Sequence, residues 1–511
     1  MWARTRAVAQ RAARGTSRLS LTSQADGRFL AGLPHHQHHG HQTAADVLVN
    51  RPDRSHGTLH GISWTREHIL LQQQHGNGGD GDGDGNGNGN GPRILRPATL
   101  RDGCACSACR DASSGQKTFA SVEIPPDIGI AAVRSTGQGL GITFCNEIAR
   151  FAREGHEMIL PWASVRRMRA SSSSSSSSSC SSPSSPSSSH KQIQTSLSRR
   201  KQAILGLTGV QYWDASILAQ HVRKIDYHAF MQDDDPSSPS SAFWDVIVDL
   251  LRLGIVYLHN VPRHEASIVH ITTRIANIRE TFYGRTFDVR AKPRAENVAY
   301  TSGHLGLHQD LCYLSPPPMV QVLHCMDNSC AGGESLFSDG ERAGRLLWPF
   351  VSGSESTGST KTTTETGNKM AVLADHALPY QYDKHGYFYH AARSVLHGHY
   401  AHQQALQPSF GGVYWSPPFQ GRHYDDSAPD RDTSAAATLD LREWIPPARI
   451  FDGLINHPDA VHTYKMRQGE CVLFDNLRVM HGRNAFDASA GGSRWLRGAY
   501  ISEEDFLSRA A

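Results

Sequence analysis

Apolar positions along this chain follow two periodicities. In FWDVIVDLLRL (243–253) they recur at three- and four-residue intervals, which predicts an amphipathic helix. Gly254 follows in the position that ends one. IVYL (255–258) is a short continuous apolar run and reads as a buried strand. ASIVHITTRIANIRETF (266–282) returns to helical spacing. Beyond Tyr300 the pattern changes to short apolar runs between turns: VQVLHC, GVYW, CVLF and GAYI. Helices followed by many short strands predict an α+β chain with a β-sandwich or barrel core. Upstream, residues 118–145 predict short strands broken at Pro and Gly, a small β module.

Polar stretches divide these segments. Residues 76–91 alternate Gly with Asp and Asn, and 171–189 are almost wholly Ser with two Pro; neither can bury a core, and both are expected to be linkers. HHQHHGH (35–41) reads as a low-complexity tract, and Ser352 to Asn368 as an extended surface loop. The expected organisation is a disordered tail over 1–92, a β module over 93–168, a Ser-rich linker over 169–200 and one large domain over 201–511. The first 25 residues hold five Arg and no acid and lack an apolar segment, the composition of a mitochondrial transit peptide. The alternative is a basic start on a cytoplasmic protein.

Composition narrows the class. The 511 residues carry 51 basic and 48 acidic side chains, so a net charge of +3 offers no field for nucleic acid or an anionic membrane. No run approaches the roughly 20 apolar residues that span a bilayer. Nine cysteines are too few for a disulfide scaffold in a chain this long. Three of them, Cys104, Cys106 and Cys109, fall in CACSAC, a spacing suited to thiolate ligands of a metal.

The sharpest chemistry lies in GLHQDL. On an extended backbone His308 and Asp310 share a face while Gln309 points away. His481, in VLFDNLRVMHGR just beyond a predicted strand, is the third candidate. Two His and one carboxylate form the facial triad of non-haem Fe(II) oxygenases, which leaves positions open for co-substrate and oxygen. In RWLRGAYI (494–501), alternation puts Arg494, Leu496, Gly498 and Tyr500 on one face and Arg497 on the other. A buried arginine needs an anionic partner, and the distal carboxylate of 2-oxoglutarate would supply a bidentate one. Arg497 is then expected to face solvent or to be structural.

Taken in order, NVAYTSGHLGLHQD, PPPMVQVLHC, GGESLFSDG, FDNLRVMHGRNAF and SRWLRGAY resemble the γ-butyrobetaine and trimethyllysine dioxygenase family, within the taurine-dioxygenase-like Fe(II)/2-oxoglutarate oxygenases. The resemblance covers roughly 94–168 and 201–511. It implies a double-stranded β-helix (jelly roll) flanked by helices, with a small N-terminal zinc-binding β domain. It implies iron on His308, Asp310 and His481, and 2-oxoglutarate held by Arg494 and Ser335. It implies a trimethylammonium substrate in an aromatic cage of Tyr283, Phe287, Tyr300 and Tyr500, with Asn297 as a polar pocket residue. A quaternary ammonium has no N–H to donate, so aromatic faces hold it through cation–π attraction. Phe287 stands where well-known γ-butyrobetaine enzymes carry Trp. GGVYWSPPFQGR (411–422) departs from the Asn-rich stretch those enzymes place around the substrate carboxylate. For the cysteines the resemblance nominates His156 as the fourth zinc ligand, with Cys145 the competing candidate.

The implied reaction converts γ-butyrobetaine to L-carnitine, with 2-oxoglutarate and molecular oxygen consumed, ascorbate as reductant, and a homodimer as the assembly. Trimethyllysine is the rival substrate. A non-catalytic reader of methyl-lysine would need neither the triad nor Arg494. A zinc hydrolase could use the triad to activate water, but the inward Arg fits iron better.

Overall fold

The computed structural model describes residues 56–72, 93–170, 201–290 and 301–511, apart from 60, 113, 202, 233–240, 352–361, 385, 400–408, 422–440 and 488–490. Two compact units emerge. One takes Met1–Pro97 and Asp127–Ser173; the other takes Ala98–Pro126 and Ser174–Ala511.

The larger unit is built on two antiparallel sheets. The six-stranded sheet runs Phe287–Arg290, Arg494–Ile501, Val320–Asn328, Cys471–Asp475, Ile255–His259, Lys224–Asp226, and only its last pairing is parallel. The four-stranded sheet runs Leu305–His308, Val479–Arg483, Ser335–Asp339, His462–Tyr464. Side-chain alternation gives the large sheet two apolar faces. Leu323, Cys325, Val472, Phe474 and Leu496 point inward and pack on Phe337 and Val479 of the small sheet. Val320, Val322, Leu473, Ala499 and Ile501 point outward and are covered by Val246, Leu250, Ile268, Ile271 and Phe506 from helices. A sheet buried on both faces explains why its strands read as near-continuous apolar runs. The facing sheets are the expected jelly roll.

The covering helices follow local rules. Ala242–Arg252 starts where the Ser241 side chain accepts a hydrogen bond from the Trp244 N–H. It ends at Gly254, whose φ of +76° closes the turn. The second helix is shorter than its sequence spacing predicts, Ser267–Ile275 rather than to 282, because Ala276 is fully extended. Thr362–Asp375 is helical although its first half belongs to the stretch read as a surface loop; Met370 and Leu373 are buried and anchor it. No helix among the described residues is long and apolar enough to cross a membrane.

The smaller unit corrects two expectations. Strands His56–Leu59, Ile62–Thr65 and Ile69–Leu71, with Arg93–Leu95, form a sheet inside the stretch read as a tail. Ile62, Ile69 and Leu71 are fully buried, and Gly61 with φ +73° makes the turn between the first two strands. Gly129–Ser135, Gly139–Cys145 and Met158–Pro161 form a second sheet. Residues 118–128, expected to begin the β module, form no strand and contribute only the short turn Ser121–Glu123. The stretch Ala98–Pro126 groups with the larger unit instead.

Candidate active site

His308 ends one strand of the small sheet and pairs directly with His481 on the next. Cross-strand neighbours on one face lie close enough to share a ligand, and the two imidazole centroids are 4.3 Å apart. Asp310 follows two residues later. Its Oδ1 is 3.4 Å from His308 Nε2 and its Oδ2 is 3.6 Å from His481 Nε2. The three ligand atoms lie within 4.8 Å of one another. His308 Nδ1–H donates to the Gly306 carbonyl at 2.8 Å, which puts the lone pair on Nε2 and aims it at the cluster. Burial alone would raise Asp310, yet the two imidazoles hold its carboxyl well below the ordinary carboxylate range. Burial and the neighbouring His308 push His481 down, against the pull of Asp310. Two imidazoles beside one carboxylate suit a divalent cation.

The same cavity, open to solvent on one side, is lined by His308, Asp310, Gln321, Ser335, His481, Arg483 and Arg494. Arg494 is 5% exposed. Its Nε–H donates to the Gly333 carbonyl at 3.2 Å, while Nη1 is buried and has no hydrogen-bond partner among the described residues. Burial pushes its guanidinium down to about 10. A buried cation with an unanswered N–H, beside a two-His, one-carboxylate cluster, fits a bound dicarboxylate well. Arg497 lies on the opposite face, as alternation predicts, and pairs with Asp288 and Glu265 at 3.0 Å each.

Of the aromatic candidates, Tyr283, Phe287 and Tyr500 fall together. Phe287 stacks on Tyr500 with centroids 4.8 Å apart and 18° between planes, and Tyr283 lies 6.4 Å from Phe287. These rings make one layered wall rather than opposed walls. Phe287 can lie flat because its cross-strand partner is Gly498, where a Cβ would sit 2.3 Å from the ring. Tyr300 and Asn297 lie outside the described residues.

Sequence reasoning missed several neighbours. Phe282, Tyr313, Tyr382 and Tyr389 extend the aromatic cluster, the last two from the hairpin Ala377–Lys384/Tyr387–Ser394. Gln321 Nε2–H and the Tyr500 hydroxyl both donate to Asp310 Oδ2. Asn476 accepts from the Asp310 N–H and donates to its carbonyl. Gln309 points away from the cluster and is clipped to the 413–415 segment. Its N–H donates to the Trp415 carbonyl, its Oε1 accepts from the Trp415 N–H, and its Nε2–H donates to the Val413 carbonyl. The segment 411–421 is thus part of the scaffold behind His308 and Asp310. A polar residue at an inward position of an apolar strand, as Gln321 is in VQVLHC, was the available signal.

Among the cysteines, the sulfurs of Cys104, Cys106 and Cys109 lie within 4.8 Å of one another. The hydrogen bond with the Cys104 sulfur and burial raise the Cys109 thiol far above its ordinary range. In the smaller unit, His156 Nδ1 is 3.1 Å from Glu147 Oε2, a carboxylate contact that orients the ring. Cys145 ends the strand Gly139–Cys145 in the same unit and is half-buried.

Fold and cluster together define a non-haem iron, 2-oxoglutarate-dependent dioxygenase. Residues 222–500, more than half of the chain, match the family model for taurine catabolism dioxygenase TauD, TfdA, and the chain belongs to that family. Among its relatives, dioxygenase str8 of Strobilurus tenacellus is 28% identical over 424 residues, 80% of this chain and 83% of its own. The γ-butyrobetaine dioxygenase of Homo sapiens is 25% identical over 422 residues, 81% of this chain and 90% of its own. The mitochondrial trimethyllysine dioxygenase of Gallus gallus is 25% identical over 300 residues, 58% of this chain and 63% of its own.

Proposed function

We propose that the chain hydroxylates a trimethylammonium amino acid, γ-butyrobetaine to L-carnitine, with His308, Asp310 and His481 holding Fe(II) and Arg494 and Ser335 receiving the distal carboxylate of 2-oxoglutarate. The observation that carries this reading is the buried, unanswered Nη1 of Arg494 in the cavity lined by the three ligands. When bound, iron with 2-oxoglutarate and oxygen supplies the oxidising power to place a hydroxyl on an unactivated C–H bond, releasing succinate and carbon dioxide. The protein's part is positional. Nδ1 of His308 is tied to Gly306, Arg494 is fixed by Gly333, and apolar side chains such as Leu323 and Leu496 keep bulk water from the cavity wall. The aromatic wall of Tyr283, Phe287 and Tyr500 supports a cationic methylammonium group, with Tyr300 and Asn297 proposed alongside it from the sequence.

Further parts of this reading rest on sequence and relatives. Cys104, Cys106, Cys109 and His156 hold a structural zinc that would stabilise a region with little core of its own. Ascorbate serves as reductant and the active assembly is a homodimer. The Arg-rich start directs mitochondrial import, in keeping with the name of the trimethyllysine relatives.

The test is succinate release from 2-oxoglutarate with Fe(II), ascorbate and air. It is run with γ-butyrobetaine, with trimethyllysine and with neither. Stimulation by γ-butyrobetaine, with one added oxygen in its mass, is the expected result. Stimulation by trimethyllysine alone would replace the substrate. No succinate from iron-loaded protein would overturn the enzymatic reading.

A further inference from the structure

We propose that Gln321 and Tyr500 act as positioning residues that restrict Asp310 to one-oxygen metal binding and join the metal site to the aromatic wall. This rests on the reading of His308, Asp310 and His481 as metal ligands. Asp310 Oδ2 accepts two hydrogen bonds, from Gln321 Nε2–H at 2.9 Å and from the Tyr500 hydroxyl at 2.8 Å. A carboxylate oxygen offers about two lone-pair sites, so Oδ2 is filled. Oδ1, facing His308 Nε2 at 3.4 Å, keeps its lone pairs for a cation.

The arrangement follows from strand register. Gln321 and Tyr500 are directly opposed on neighbouring strands of the large sheet, so both side chains reach the same point in the interior. The amide orientation is settled by chemistry. An ionised carboxylate only accepts, so the amide nitrogen must face it. Gln321 is 1% exposed, so this donor is held within the core.

Freed from its two donors, the carboxylate loses the orientation that aims Oδ1 at the metal, which weakens binding, and Oδ2 can swing into a position meant for co-substrate or oxygen. A facial triad works by leaving positions open for co-substrate and oxygen. Two donors on Oδ2 protect that vacancy. Tyr500 has a second contact, since its ring stacks on Phe287 at 4.8 Å. A ligand that shifts Phe287 therefore presses on a residue bonded to a metal ligand. Tyr500 serves the site through its hydroxyl as well as through its ring.

The experiment is Mn(II) titration of EDTA-stripped full-length protein, followed by electron paramagnetic resonance, with melting temperature measured in parallel. Wild type should bind one Mn(II) at this site and His308→Ala should lose it. If wild type and His308→Ala bind alike, the metal reading itself fails. Given a wild-type site, Tyr500→Phe and Gln321→Leu should each weaken Mn(II) by on the order of tenfold or more, as loss of outer hydrogen bonds to ligands does. Both should also alter the spectrum of the bound ion while the metal-free melting temperature holds. Arg497→Ala, on the opposite face of the strand that carries Tyr500, should keep Mn(II) affinity within about twofold. Wild-type Mn(II) affinity and spectrum in both Tyr500→Phe and Gln321→Leu would overturn the proposal.

Discussion

Replacing Arg494 by Met should have opposite effects on the ligand-free and ligand-bound protein. Without ligand, Arg494 keeps one hydrogen bond among the described residues, from Nε–H to the Gly333 carbonyl, and its buried Nη1 has none there. Losing the bond costs about 1 kcal/mol, and removing a buried unsatisfied N–H returns about 1–3 kcal/mol. Ligand-free stability should therefore be unchanged or raised by up to about 2 kcal/mol. The bound state loses more. Two charge-assisted bonds to a carboxylate, at the low value of about 1.5 kcal/mol each, amount to about 3 kcal/mol, on the order of a hundredfold in Kd. Arg494→Lys should recover only part of this, because an ammonium cannot make the paired contact. Denaturant unfolding without ligand, and calorimetric titration of 2-oxoglutarate with Mn(II) present, read the two effects separately. A variant that unfolds more readily by 2 kcal/mol or more, yet binds 2-oxoglutarate as wild type does, would make Arg494 a structural residue and refute the argument.

Other outcomes follow from the same geometry. Arg497→Ala removes a mostly buried, hydrogen-bonded ion pair on the far face; its stability cost should be about 1.5–3 kcal/mol, while the 2-oxoglutarate requirement should not move. An equal loss there would mean the two faces of the strand are misassigned. Gly498→Ala places a Cβ where the Phe287 ring lies, at 2.3 Å, and overpacking of that kind costs about 1–3 kcal/mol. Succinate assays should show it raising substrate KM more than that of 2-oxoglutarate, and equal effects on both would count against a substrate role for Phe287. His324 is fully buried on the outer face of the large sheet, and burial together with Arg263 pushes it down to about 4. Between that value and its unfolded value of about 6.5 the unfolded chain binds the extra proton, so stability falls as pH drops through this window, by about 2 kcal/mol from pH 7 to 5. Urea unfolding at the two pH values should show that loss shrinking in His324→Leu; an unchanged pH dependence would place its origin elsewhere.

Local spacing carried much of this site. His308 and Asp310 stand two apart, at the end of a strand and in the turn that follows it, and Arg494, Arg497 and Tyr500 sort onto faces by simple alternation, because each relation spans a few residues. What escaped was set by long-range register. Gln321 reaches Asp310 across 11 positions and Asn476 across 166. A lone polar residue in an apolar run does not say which neighbour it will meet. Tyr382 and Tyr389 join the aromatic cluster through a hairpin whose placement no local pattern encodes. The strands at 56–71 escaped for another reason. Each is three or four residues long, too short for a periodicity to stand out beside the glycine-rich tract that follows.

The segment 409–421 is anchored twice. Gln309, which lies between His308 and Asp310, binds it at Val413 and Trp415, and the Ser121 hydroxyl binds it at Gln420 with a bond of 2.7 Å. An anchor at each end uncouples what lies beyond. A strain arriving at Gln420 is taken up at Ser121 before it reaches Gln309, so substitutions on that side of the segment leave His308 and Asp310 in register.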